Sequence, residues 1–253
     1  MAHKIQKYGW KRDLPDHRDF IFSTPPVLTD ALPSSVDLRD KCPPVFDQGQ
    51  LGSCTANGCA GLCWFDELKE GHPSVEPSRL FIYYATRAIE GTVSHDAGAS
   101  IRDAIKSVVL NGYPPEADWP YNISEFAVKP PTQAYNDAKK EVITQYHSVP
   151  QVPAQLKAAL AQGFPIEFGF TVYESFESDA VAKTGIMLMP HAHESVLGGH
   201  AVVLVGYDDS KQWYIVRNSW GEGWGDKGYF YMPYKFAHNP RLASDFWVIN
   251  AVP

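Results

Sequence analysis

The sequence predicts an α+β protein in two segregated parts flanking a cleft, and three observations carry that expectation. Segments with apolar residues at helical spacing crowd into about residues 45–111. From about 134 to 253 the chain turns instead to short runs of β-branched and aromatic residues. Two proline-rich stretches, "GYPPEADWPYN" and "KPPTQ", separate these regions and forbid a long helix between them. A cleft between such parts is the default place for a site.

Residues 1–31 read as an N-terminal arm and linker, and residues 32–253 as the domain. The arm begins with the charged "MAHKIQKYGWKRDLPDHRDF" and passes into "FSTPPVLTDALPSSV", whose Pro, Ser and Thr interrupt any periodicity. A Pro-rich extended segment is ordered at low entropic cost, so the arm is expected to lie along the domain surface or across the cleft. From Ser53, "SCTANGCAGLCWFDELKEG" puts Ala56, Cys59, Ala60, Cys63, Trp64 and Leu68 on one helical face, with Ser53 as N-cap and Gly71 as stop. Cys54 falls in its first turn. Two more helices fit "PSRLFIYYATRAIEG" and "ASIRDAIKSVVLNG", and a short one fits "PAQLKAALAQG". The strands expected are "PIEFGFTV", "HAVVLVGYD", "QWYIVRNSW", "GYFYMPY" and "DFWVINAV".

With 44% apolar residues and a mean hydropathy of −0.27, the chain has the composition of a soluble globular protein. A formal charge of −7 supplies no basic field for phosphates, which argues against nucleic acid as a partner. No segment approaches the roughly 18 apolar residues of a spanning helix, and the first residues lack the apolar run of a Sec-type signal. No membrane partner is therefore expected, and the expected location is the cytoplasm, with another export route left open. The four cysteines, Cys42, Cys54, Cys59 and Cys63, sit close together, unlike a disulfide framework. Cys59 and Cys63 are one helical turn apart with no second pair to complete a tetrahedral set, so they read as core and no metal is expected. Cys42 reads as an unpaired loop thiol. His191 and His193, beside Glu194, lack partners that would orient them as ligands and read as rim residues.

By itself "DQGQLGSCTA" has two readings, a tight turn before a core helix or the mount of a nucleophile. A thiol attacks as thiolate and needs local positive charge, from a helix N-terminus or a neighbouring imidazolium. Cys54 has the first by position. The histidine that best fits the second is His200 in "GGHAVVLVGYD", where two glycines leave room beside the ring and the apolar run that follows fixes it on a buried strand. Asn218 in "RNSWGEGWGDKGYF" stands at a strand end where it can hold the imidazole's second nitrogen, with Trp220 to shield the bond. An oxyanion needs a fixed donor, and Gln48 can bring its amide beside the thiolate to join the Cys54 N–H.

Taken in order, "DQGQLGSCTA", "GGHAVVLVGY" and "NSWGEGWGDKGYF", with helices before strands, resemble the papain-like (C1 family) cysteine peptidases over roughly residues 32–253. The bacterial and archaeal branch is the nearer match. The resemblance implies Cys54 as nucleophile, His200 as base and acid, Asn218 as orienter and Gln48 as oxyanion donor. It also implies that Trp220 covers the Asn–His bond, that Gly52, Ser53 and Gly98 present backbone to an extended peptide, and that Gly199 and Ala201 lie near the scissile bond. The fold it implies is a helical part facing a sheet or barrel-like part. A peptide or protein substrate and no cofactor follow.

Several residues depart from the family pattern. Thr55 stands where an aromatic usually follows the nucleophile, and Leu51 where a cysteine is common, so the family's disulfide pattern is absent. "DAGAS" replaces a double-glycine peptide-binding strand, and the arm is shorter than the usual helical inhibitory pro-region. Hydrolysis leads the functional reading. Acyl transfer to another amine, and a peptide-binding scaffold plugged by its arm, stay open beside it. Asp245 has two readings, the floor of a pocket that would favour a basic side chain or a solvated carboxylate at a strand edge. The glycine-rich turn between Trp220 and Trp224 reads as a surface lid. The sequence leaves the oligomeric state undetermined.

Overall fold

Helix α1 (Cys54–Glu70) begins after Ser53 and ends at Gly71, whose φ of 72° gives the left-handed turn that only glycine adopts freely. In this computed structural model, which describes residues 8–25, 31–71 and 74–250 (Asn250 in its backbone only), α1 is not the one-sided helix that its sequence suggests. Every residue from Cys54 to Cys63 is buried, whereas Leu68 is exposed. The reason is its place: sheet strands pack on one side, and helices α2 (Arg79–Glu90) and α3 (Ile101–Asn111) on the other. Ser78 and Ser100 cap those two helices through Phe81 N–H and Asp103 N–H. Ser53 does not cap with its side chain, because its hydroxyl is taken by Tyr121 and by Asn57 Nδ2 at 3.0 Å. The remaining helices are short: α4 (Thr132–Ala138), α5 (Pro153–Ala161), α6 (Asp179–Thr184) and α7 (Tyr234–Ala237).

The second part is one antiparallel seven-stranded sheet. Its order is β4 (Gln145–Ser148), β9 (Ala243–Asn250), β5 (Ile166–Tyr173), β6 (Val196–Asp208), β7 (Trp213–Arg217) and β8 (Tyr229–Pro233), with β2 (Ser35–Asp37) added on β6. The order ends at β4 and β8, so no barrel closes, contrary to the barrel-like alternative. β6 runs 13 residues and starts before the expected His200, because Val196 to Gly199 continue the pairing with β5. Its register sets Phe170 opposite His200 and Gly169 opposite Ala201. Behind it the core is aromatic, with Phe168 stacked on Phe246 at 5.0 Å and Phe170 edge-on to Phe176 at 5.2 Å.

Trp220 and Trp224 join this core rather than forming a surface lid. Each is 3% exposed, and both pack against Phe176. The indoles point inward, where they remove apolar area from water, while Glu222 and Gly223 in the turn between them stay exposed.

The arm is tied to the domain along its described length. β1 (Trp10–Lys11) pairs in parallel with β3 (Ala99–Ser100). Arg102 then donates to Leu14 O and Asp19 Oδ2, both at 2.6 Å. Farther on, Ile21 makes a parallel bridge to Ser148 on β4, and Gln155 exchanges two hydrogen bonds with the Thr24 backbone.

Candidate active site

Cys54 sits where α1 starts, with no solvent exposure. The N–H groups of Ala201, Gly9 and Thr55 favour its thiolate, yet burial outweighs them and pushes the thiol up to about 11. One of those donors, Ala201, adjoins His200 on β6; another, Gly9, belongs to the arm.

His200 is equally buried, and its Nε2 lies 2.8 Å from Asn218 Oδ1. The same oxygen accepts the Ser219 N–H at 2.9 Å, which fixes the orientation of the amide. Trp220 stacks on the imidazole at 5.1 Å and 25°. Gln48 is buried too. Ser219 Oγ donates to its Oε1 at 2.6 Å and its Nε2 donates to Leu51 O at 2.9 Å, so the amide nitrogen faces the loop that leads to Cys54.

Of the residues expected to meet a peptide, Gly52, Gly98 and Gly199 lie against arm residues, while the Ser53 hydroxyl is held by Tyr121 and Asn57. A Cβ on Gly9 would overlap Gly52 O, and one on Gly98 would overlap Gly9 O. Gly98, at φ 69°, can therefore be only glycine here for two reasons at once. Ala99 N–H donates to Gly9 O at 2.7 Å. Trp10 lies against Gly169 and Gly199, where side chains would collide with its ring. On the other side of Gly9, the Tyr8 ring stands edge-on to His200 at 6.0 Å, and its hydroxyl donates to Glu177.

Trp10 Nε1 donates to Asp245 Oδ2 at 3.2 Å, so the half-buried Asp245 is engaged by the arm. A β-bulge puts it there. Glu167 and Gly169 on β5 face Trp247 and Ser244 on β9, leaving an extra residue on β9, and Asp245 takes a φ of 59°. Asp13 N–H also donates to Asp245 Oδ2 at 2.8 Å, while Asp13 Oδ2 accepts from Trp247 Nε1 at 2.9 Å. Sequence reasoning missed Tyr8, Trp10, Asp13 and Glu177. The one available signal was "YGW", two aromatics around a glycine in an otherwise charged arm.

Residues outside the cleft have structural surroundings. Cys59 and Cys63 are buried within α1, and Cys42 Sγ lies 3.4 Å from Leu38 O. The Glu194 carboxylate accepts the N–H groups of Ser175 and His191, which folds the His191–Glu194 loop.

The papain family cysteine protease model matches residues 32–246 of the chain. An uncharacterized peptidase C1-like protein of Acanthamoeba polyphaga mimivirus is 40% identical, over 98% of this chain and 88% of its own length. The crystal structure of xylellain, a cysteine protease from Xylella fastidiosa, is similar with a TM-score of 0.92 and 41% identity, covering 100% of this chain and 99% of that one. A digestive procathepsin L 3 of Tenebrio molitor shares the fold at a TM-score of 0.70 and 22% identity, covering 87% of this chain and 70% of that one.

Proposed function

The chain belongs to the papain family of cysteine proteases and is a peptidase, and from that premise we propose that Cys54, His200, Asn218 and Gln48 cut peptide bonds in a cleft that the N-terminal arm holds shut. The observation that carries the reading is that one β6 segment serves two partners. Ala201 N–H favours the Cys54 thiolate, while the adjacent His200 has Nε2 engaged by Asn218. With Nε2 engaged by Asn218, Nδ1 is the nitrogen assigned to the thiol.

The chemistry follows from these positions. His200 takes the thiol proton, and the Cys54 thiolate attacks the scissile carbonyl carbon to form a C–S bond. Charge moves onto the carbonyl oxygen, where the Cys54 N–H and the Gln48 amide stabilise it. The C–N bond then breaks as the imidazolium protonates the leaving amine. Water, deprotonated by His200, replaces sulfur on the resulting thioester, and the thiol is restored.

The blocking role rests on what the arm presents. Gly9 turns an N–H toward the sulfur, and its carbonyl accepts from Ala99 N–H, so arm backbone occupies the ground beside the nucleophile. The pocket holding Trp10 sets the side-chain preference: a long residue ending in an N–H donor, aromatic or basic, to meet Asp245.

The test is iodoacetamide labelling of the full chain, of a form lacking residues 1–31 and of Cys54→Ala, across pH, with a fluorogenic peptide library in parallel. Expected are Cys54-dependent cleavage and faster labelling once the arm is gone. No cleavage by either form, with labelling confined to alkaline pH, would overturn the peptidase mechanism in favour of a peptide-holding scaffold.

A further inference from the structure

The slot that receives Gly9 is walled by backbone from two distant parts of the chain. Gly52, in the loop before Cys54, forms one wall; Gly98 and Ala99, after α2, form the other. No disulfide joins them, since all four cysteines are free. What joins them is a chain of hydrogen bonds. Both Asp96 carboxylate oxygens accept the Gly52 N–H at 3.2 Å, Tyr83 OH donates to Asp96, and Gly98 N–H donates to Tyr83 OH at 3.1 Å.

We propose that Asp96 and Tyr83 are positioning residues for peptide cleavage, setting the width of the slot by locking the loop before the nucleophile to the strand along which the peptide lies. The proposal rests on the peptidase reading above. Neither side chain belongs to the group formed by Cys54, His200, Asn218 and Gln48. Each satisfies a backbone N–H in the wall of the slot, so loss of either frees one wall to move relative to the other.

The surroundings hold this bridge stiff. Arg87, fully buried, stacks on the Tyr83 ring at 4.0 Å and donates to Val93 O at 2.7 Å and His95 O at 3.0 Å, which folds residues 91–97 around the relay. Burial and the bond to Asp96 raise the Tyr83 phenol far above its ordinary range, so it remains the donor at any working pH. Gly52 has no room for a side chain without pressing on Asp96, which a Cβ would approach at 3.0 Å. The two walls are thus spaced by a carboxylate and a phenol, groups of fixed shape, where a mobile loop would otherwise let the slot open.

The experiment compares the unaltered protein with Tyr83→Phe, Asp96→Asn and the double variant, measuring Tm and the rate of iodoacetamide labelling at Cys54 on the full chain, and KM and kcat on one library peptide after arm displacement. KM should rise about tenfold in either single variant, the size of one lost charge-assisted hydrogen bond, with kcat and labelling not reduced. The double variant should be no worse than the worse single one, because both cut the same chain of bonds. An unchanged KM in Tyr83→Phe, or kcat and labelling falling in step with KM, would overturn the proposal. If the unaltered protein labels at Cys54 but cleaves nothing even after arm displacement, the peptidase mechanism fails separately. The slot is then read through the arm, and variants that label no faster than the unaltered protein would also sink the proposal.

Discussion

At Cys54 two opposing effects meet on one sulfur. Three N–H groups favour the thiolate, and complete burial under the arm opposes it and wins. His200 depends on its neighbours in a different way, through the 2.8 Å bond to Asn218 and the Trp220 ring above it. Replacing Asn218 with Ala removes a hydrogen bond worth about 1.5–3 kcal/mol when its partner is charged. We expect kcat/KM to fall roughly 10- to 100-fold, mostly in kcat, measured on a single peptide after arm displacement. A change confined to KM would show that Asn218 serves binding and not the imidazole. These residues stood out in the sequence because each lies in a short motif that resembles those of the papain-like family. Asp245 was ambiguous, because a bulge in β9, and not its own neighbours in sequence, aims it into the pocket.

The arm is the element whose behaviour should depend on pH. Asp13 meets Asp245 from β9 at the Trp10 pocket, and Trp247, Arg102 and Arg12 surround the pair, with buried Glu167 nearby. Burial first, and then the charge on Asp245, raise the Asp13 carboxyl to about 6; Trp247 and Arg102 oppose this without prevailing. The seated arm therefore prefers a protonated Asp13, while a displaced arm has an ordinary aspartate. Its grip is full below the ordinary aspartate pKa and is lost as pH rises through about 6. A carboxyl raised that far makes the arm's hold up to roughly a hundredfold weaker at neutral pH than in acid. Labelling of Cys54 in Asp13→Asn, normalised to the form lacking residues 1–31, should lose this pH dependence; an unchanged profile would remove Asp13 from the latch.

Across the whole molecule, the least expected group is Glu167, buried between β5 and α1, with neither carboxylate oxygen hydrogen-bonded among the described residues. It faces Gly58, where a Cβ would overlap it. Burial first and Cys59 second raise its carboxyl well above the ordinary range, so the folded protein holds this proton longer than the unfolded chain does. Stability is then unaffected below the ordinary glutamate pKa and is lost as pH rises toward the folded value. Glu167→Leu should stabilise the fold by roughly 1–3 kcal/mol at neutral pH, at about 2–4 °C in Tm for each kcal/mol, with a smaller gain in acid, where only the unbonded neutral carboxyl is relieved. A thermal melt showing no gain at neutral pH would mean that Glu167 has a partner in solution.

The sequence alone determined the order of helices before strands and nominated Cys54, His200, Asn218 and Gln48 through short motifs and the family they resemble. Periodicity and motif spacing are local, and they report what one element buries and which groups it presents. Only the tertiary structure decided that the first half of α1 is buried on every side, that the sheet stays open, that Trp224 packs inward, and that Tyr8 to Trp10 lie against His200, Gly52, Gly98 and Gly199. It also decided that Asp96 ties Gly52 to Gly98. Those outcomes depend on what stands opposite each residue, and the partners lie far along the chain: Gly9 beside Gly52 and Gly98, Trp10 on Gly169, Asp13 against Asp245.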